Sequence, residues 1–176
     1  MKKILVVYST TDGQTRHIAE YLQQVLAPMG HTIVVLPLDQ ADELDLGAFG
    51  TIVIGASIRY GKHHPQVNEF IQRHQSLLER KANAFFSVNI VARKPEKNQP
   101  DTNPYLRKFL GEISWKPKLV AVFAGKLDYP RYRFFDRLMI RLIMWVTHGP
   151  TDPKAVIEFT NWPQVAAFGR QIGEMP

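Results

Sequence analysis

Cysteine is absent from the 176 residues. That absence excludes disulfide scaffolds, thiolate metal sites and cysteine nucleophiles together. Long apolar runs are also absent: none approaches the ~20 residues that a bilayer-spanning helix needs. The opening run Ile4-Leu5-Val6-Val7-Tyr8 is too short for the core of a secretory signal, and no small-residue cleavage site follows it. A cytosolic chain is expected. Internal repeats, low-complexity tracts and clear linkers are lacking. At 45% hydrophobic and 22% charged, the chain is not disordered. Its length fits a single domain over 1–176 with one sizeable core.

What is present is an uneven positive charge. The net charge is +6. Residues 1–92 carry 8 basic and 8 acidic side chains, residues 93–148 carry 12 and 5, and residues 149–176 carry 2 and 3. The whole basic excess therefore lies in one third of the chain. Such a stretch is either a solvated lysine-rich face or a patch that meets an anionic partner.

Strand-like and helix-like segments alternate. Short apolar runs at Ile4–Tyr8, His31–Leu38, Thr51–Ala56, Ala84–Ala92 and Leu119–Ala124 read as five strands. Helical spacing appears in Thr15–Met29, closed by Gly30, and in Pro65–Leu78, Tyr105–Ile113 and Asn161–Ile172. Asp39–Ala48 is a short helix or turn. Five continuously apolar strands separated by helices predict an α/β fold: a doubly wound parallel sheet covered on both faces. Ligands in such sheets bind beyond the carboxyl ends of the strands. The loops after strands one, three and four are therefore the candidate site. Lys126–Asp152 is an insert beyond this minimum.

The first loop is Ser9-Thr10-Thr11-Asp12-Gly13-Gln14-Thr15. It combines hydroxyls, a glycine and a helix start, which suits a phosphate. Capping of the helix by Asp12 or Thr15 explains it equally well. The NTPase and dinucleotide glycine patterns are missing. The second loop runs Gly55-Ala56-Ser57-Ile58-Arg59-Tyr60-Gly61-Lys62-His63-His64, and the third Asn89-Ile90-Val91-Ala92-Arg93-Lys94-Pro95. Adjacent histidines rarely share one metal, so His63 and His64 are expected at the mouth of a pocket, with no metal site. Ser87 and Asn89 on a buried strand need partners. A bound ligand suits Asn89; an ordinary bond to the backbone serves as well.

The first loop resembles the flavodoxin phosphate loop, Thr-x-Thr-Gly-x-Thr, on Thr10, Asp12, Gly13, Gln14 and Thr15. It departs from flavodoxins at Asp12, whose carboxylate would repel a phosphate unless it points away or caps the helix. Three stretches together are similar to a narrower family, the menaquinone-dependent protoporphyrinogen IX dehydrogenases. They are Ser9–Thr15, Val53–Gly61 and Ser87–Lys97, with Tyr129-Pro130-Arg131-Tyr132-Arg133 as a fourth. The Asp12 departure belongs to that narrower pattern.

The resemblance implies a flavodoxin-like sheet of strand order 2-1-3-4-5 with a long insert after strand five. It implies FMN bound by Ser9, Thr10, Thr11, Asp12, Gly13, Gln14, Thr15, Ser57, Ile58, Arg59, Tyr60, Gly61, Asn89, Ile90, Val91 and Ala92. Tyr60 is the candidate aromatic against the flavin ring. The reaction implied is six-electron oxidation of protoporphyrinogen IX, in heme biosynthesis, with menaquinone or another respiratory quinone such as ubiquinone as acceptor. Flavin N5 would be the hydride acceptor, and no side chain is nominated as a general base. Arg59, Tyr60, Arg93 and Lys94 are expected to position rather than to react. A flavodoxin-type electron carrier, an FMN-dependent quinone reductase and a nonenzymatic FMN- or membrane-binding module are the alternatives.

The substrate's propionates call for cations, and Arg93, Lys94, Lys97, Arg131 and Arg133 lie near the candidate loops. Within the insert, Phe134–Val146 reads FFDRLMIRLIMWV, with Arg133, Arg137 and Arg141 at helical spacing. A helix this apolar is either packed on its own domain or lies in a membrane interface. The second reading puts Phe134, Phe135, Arg137, Leu138, Arg141, Leu142 and Trp145 against anionic lipid, peripherally on the cytoplasmic face of the inner membrane. Aromatics interleave with bases here, but no nucleic-acid motif is present and none is expected to bind.

Overall fold

The computed structural model describes all residues from Met1 to Pro176. In chain order the elements are β1 (Lys3–Ser9), α1 (Gln14–Leu26), β2 (Thr32–Pro37), β3 (Thr51–Arg59), β4 (Lys62–His63), α2 (Pro65–Arg80) and β5 (Ala82–Val88). There follow α3 (Pro104–Glu112), β6 (Leu119–Phe123), β7 (Lys126–Asp128), α4 (Phe134–Val146), β8 (Val156–Glu158) and α5 (Trp162–Glu174). The long strands pair in the order β2-β1-β3-β5-β6, and all four pairings are parallel. With the two-residue β4 set aside, this is the expected order of five strands.

The alternation of side chains along each strand builds two cores. Leu5, Val7, Ile52, Ile54, Phe85 and Val122 point to one face, where α2 and α3 add Val67, Phe70, Ile71, Leu78, Leu106 and Phe109. Ile4, Val6, Val53, Ala84, Phe86, Ala121 and Phe123 point to the other, where α1 and α5 add Ile18, Leu22, Leu26, Val165, Phe168 and Ile172. Each such side chain, fully buried, contributes roughly 1.5–3 kcal/mol. The continuous apolar runs of the sequence are thus strands that are buried on both sides.

The third strand runs on to Arg59 rather than ending at Ala56, and three further boundaries differ by more than two residues from the sequence expectation. The fourth long strand ends at Val88 rather than Ala92, because the Asn89 side chain accepts from Ala92 N at 3.1 Å and starts a 3-10 turn over Ile90–Arg93. The first helix stops at Leu26 and tightens to a 3-10 turn over Ala27–Met29, closed by Gly30 at φ +82°. The insert extends past Asp152, since Lys126–Asp128 pairs antiparallel with Val156–Glu158. That small hairpin carries a third core of Leu127, Tyr129, Tyr132 and Met144.

α4 docks on this core by one edge. Met144 is its only buried residue. Phe134, Phe135, Leu138, Leu142, Trp145 and Val146 are all exposed, Phe135 to 77%. No helix is long and apolar enough to cross a membrane.

Gly55 in β3 marks the tightest packing between strand and neighbour. A Cβ there would stand 2.1 Å from Cζ of Phe86, a side chain held in the aromatic cluster with Phe123 and Phe168. Gly55→Ala is expected to destabilise the fold by about 2–3 kcal/mol through overpacking, measured by urea unfolding. An unchanged midpoint contradicts the packing described.

Candidate functional site

A cleft of about 850 Å³ opens at the carboxyl ends of β1, β3, β5 and β6. The sequence explains its place, since every crossover in a parallel sheet returns to the same edge. Thr10, Asp12, Gln14 and Thr15 line it from the first loop, and all of Ser57–Gly61 from the second. Asn89, Ile90 and Val91 line it from the third. Ser9, Thr11, Gly13 and Ala92 are outside the lining. Gly13 instead shapes the turn, with φ +92° as the residue before α1, and Ala92 is buried in the core.

The start of α1 is open. No side chain caps it, and no acid stands in its first turn. Asp12 and Thr15 are therefore not helix caps. Thr15 is fully buried, and its hydroxyl has no partner. An unpaired buried hydroxyl beside free helix N–H groups is a cradle for an anion. Asp12 is disarmed in place. Its carboxylate takes a hydrogen bond from Arg59 at 3.0 Å. Burial still raises its pKa above the usual range; Arg59 opposes that rise and the nearby Asp136 adds to it.

The second loop is a tight hairpin, not an open loop. Ile58 pairs with His63 and Arg59 with Lys62, so Tyr60-Gly61 is a two-residue turn. Both residues take positive φ, 50° and 78°, as such a turn requires. Tyr60 is 60% exposed at the cleft mouth. Its hydroxyl donates to Asp136 of α4, which raises its pKa. Arg59 packs over the Tyr132 ring, 5.6 Å from the centroid.

Asn89 has protein partners. Its amide exchanges hydrogen bonds with Asn103 at 3.1 and 3.3 Å and reaches Ser87 Oγ at 3.4 Å. The sequence reading left these partners open; the buried pair supplies them and braces the third loop.

The five bases nominated for substrate do not line the cleft. Arg93 is a staple: it donates to Ile90 O, Thr147 O and Thr147 Oγ1 at 2.9–3.2 Å, tying the third loop to the end of α4. Arg131 reaches the Asp12 carbonyl at 3.5 Å. Lys94, Lys97 and Arg133 make no contact with the cleft. Arg137 donates to the carbonyls of Tyr129, Pro130 and Tyr132, and Arg141 to that of Thr151. The arginines of α4 thus pin the insert to itself.

Sequence reasoning missed Gly125, Lys126 and Leu127 after β6, the aromatic walls Tyr105 and Tyr132, and, from α4, Met139, Ile140 and Ile143. The rule that pointed to the other strand ends applies equally to β6. The same apolar spacing that suggested an interfacial helix also gave α4 an inward face.

The flavodoxin-domain family matches residues 5–154. The protoporphyrinogen IX dehydrogenase [quinone] of Escherichia coli (strain K12) is 47% identical over 173 residues, covering 98% of this chain and 96% of that one. The chain belongs to the quinone-dependent protoporphyrinogen IX dehydrogenases. The protein of the same name from Leishmania major is 42% identical over 175 residues, 99% of this chain and 76% of that one. A flavodoxin from the domain Archaea superposes with a TM-score of 0.55 at 17% identity, over 98% and 96% of the two chains. Flavodoxin-domain membership makes this dehydrogenase a flavin-binding protein.

His63 and His64 do different work in this dehydrogenase. His64 caps α2, accepting from Gln66 N at 3.4 Å. His63 lies under the hairpin, 2.9 Å from Ser87 Oγ, against Phe85 and Phe109. Burial lowers its pKa to about 4. It folds neutral, so it supports stability above its unfolded pKa of ~6.5, and that support is lost as pH falls towards 4. Between pH 7 and 4.5 this one group is expected to remove about 2–3 kcal/mol. His63→Gln should flatten the pH dependence of urea unfolding over that range by this amount; an unaltered slope contradicts a buried neutral imidazole.

Proposed function

We propose that the chain oxidises protoporphyrinogen IX to protoporphyrin IX, with FMN in the cleft and a respiratory quinone as acceptor, while docked on an anionic membrane surface. Dehydrogenation with quinone, in heme biosynthesis, follows from the family. One observation carries the assignment of the cofactor as FMN: the uncapped start of α1 together with the partnerless hydroxyl of Thr15, a residue that lines the cleft. A terminal phosphate satisfies both. FMN, when bound, supplies the two-electron chemistry that no side chain here offers.

The chain's own residues do the positioning. Thr10, Thr15 and the first N–H groups of α1 hold the phosphate, and Arg59 cancels the Asp12 charge that would otherwise repel it. The hairpin tip Tyr60-Gly61 and the turn at Ile90-Val91 wall the slot for a flat ring. Met139, Ile140 and Ile143 roof the cleft and exclude water from that ring. The exposed ribs of α4, from Phe134 to Val146, supply an apolar face for the interfacial region of a bilayer. Menaquinone and ubiquinone dissolve in that phase, so a docked enzyme meets its acceptor there. This apolar face and the basic stretch 93–148 favour the membrane enzyme over a soluble electron carrier.

Thr15→Val is expected to weaken FMN binding about tenfold, as loss of one hydrogen bond to a charged group requires. Its apoprotein should unfold at an unchanged urea midpoint, because the hydroxyl has no protein partner. Fluorescence titration of apoprotein with FMN reads the first quantity; unchanged affinity overturns the phosphate assignment. Leu138→Asp/Leu142→Asp should lower partitioning onto vesicles containing anionic phospholipid at least tenfold by flotation. Equal flotation of variant and wild type overturns the role given to α4.

A further inference from the structure

We infer that a second groove, on the far side of the β3–β4 hairpin, receives the carboxylate arms of the tetrapyrrole, with Lys62 and Lys108 selecting them. The inference rests on the function proposed above. The groove is open to solvent and shares Ile58, Gly61 and Tyr105 with the flavin cleft. The two cavities are therefore neighbours, with these three residues between them at the hairpin tip.

The substrate has two chemically different parts. Its apolar macrocycle must lie against the flavin to be oxidised. Its two propionates are anionic and need cations near by. Of the bases that line the flavin cleft, Arg59 is engaged by Asp12 and Lys126 faces Asp128 at 3.9 Å in a pair only 35% and 21% exposed. The groove offers what the cleft does not. Lys62 stands on its wall with no carboxylate within 4.0 Å. Lys108 faces the same space, and its one partner, Glu112, which also lines the groove, sits 3.9 Å away in an exposed pair. Such pairs are weak and exchange readily for a better anion.

Two further features fit an anionic arm. The groove abuts the start of α2, a helix of 16 residues capped by the neutral acceptor His64 and with no acid in its first turn, so the positive end of its dipole faces this space. Ile58, Phe109 and Ile113 supply the apolar side against which a methylene stem can lie.

The test compares protoporphyrinogen IX with its dimethyl ester, in which both propionates are uncharged. Quinone-dependent turnover is measured with FMN-loaded wild type, Lys62→Gln, Lys108→Gln and the double variant. Each single variant should raise KM for the free acid about fivefold, and the double variant tenfold or more. FMN content and kcat should stay unchanged. KM for the ester should be the same in all four proteins. Both lysines are exposed on the surface, so loss of folding does not confound the result. A variant that raises KM equally for acid and ester, or for neither, overturns the inference. Wild type that turns over acid and ester with equal KM also overturns it and leaves the function standing. Wild type that turns over neither overturns the functional assignment itself.

Discussion

The guanidinium of Arg59 holds together three segments that line the cleft. It bonds Asp12 in the first loop at 3.0 Å, lies 4.0 Å from Asp136 in the first turn of α4, and covers the Tyr132 ring in between. Removing it would leave two partly buried carboxylates facing each other and an anion site beside them, an arrangement that costs more than the pair itself contributes. The Asp12 departure from the flavodoxin pattern is therefore tolerable only because β3 ends in an arginine. The same departure gives the insert an anchor: Asp136 is shared between Arg59 and Tyr60.

The insert is clamped at both ends to loops that line the cleft. Tyr60 and Arg59 hold its first turn, and Arg93 holds its last through Thr147. Between these points α4 turns Ile140 and Ile143 inwards and Phe135, Leu138 and Leu142 outwards, with Met139 exposed at the cleft rim. One short helix thus serves as roof and as outer surface. The two readings of its sequence, packed on the domain or lying in an interface, are not exclusive. The packed edge is small, and two arginines of the expected lipid-facing stripe, Arg137 and Arg141, are spent on loop carbonyls.

The fold was legible because strands buried on both faces must be continuously apolar, and Ile4–Tyr8, Thr51–Ala56 and Leu119–Ala124 are. The loops followed from the topology. Less legible was anything set by a side chain turning back on its own chain. Asn89 ends β5 by capping the next turn, although the run to Ala92 stays apolar. Arg93 lies next to the cleft in sequence, yet its guanidinium is drawn to carbonyls that only the folded insert presents. The β3–β4 hairpin was hidden because Tyr60 must take positive φ, which no pattern of apolar residues reports. Lys62 and Lys108 are 46 residues apart in number, and only the meeting of the hairpin with α3 brings them to one groove.

The central claim is that the cleft joins two half-reactions, oxidation of a tetrapyrrole and reduction of a quinone, through one bound flavin. Its most direct measurement is anaerobic turnover with protoporphyrinogen IX and a limiting quinone, following porphyrin fluorescence and quinone absorbance together. The account predicts that protoporphyrin forms only while quinone remains, with three quinones reduced for each porphyrin, since six electrons leave in pairs. Porphyrin formed at the uncatalysed rate, or no quinone consumed with it, would contradict the account.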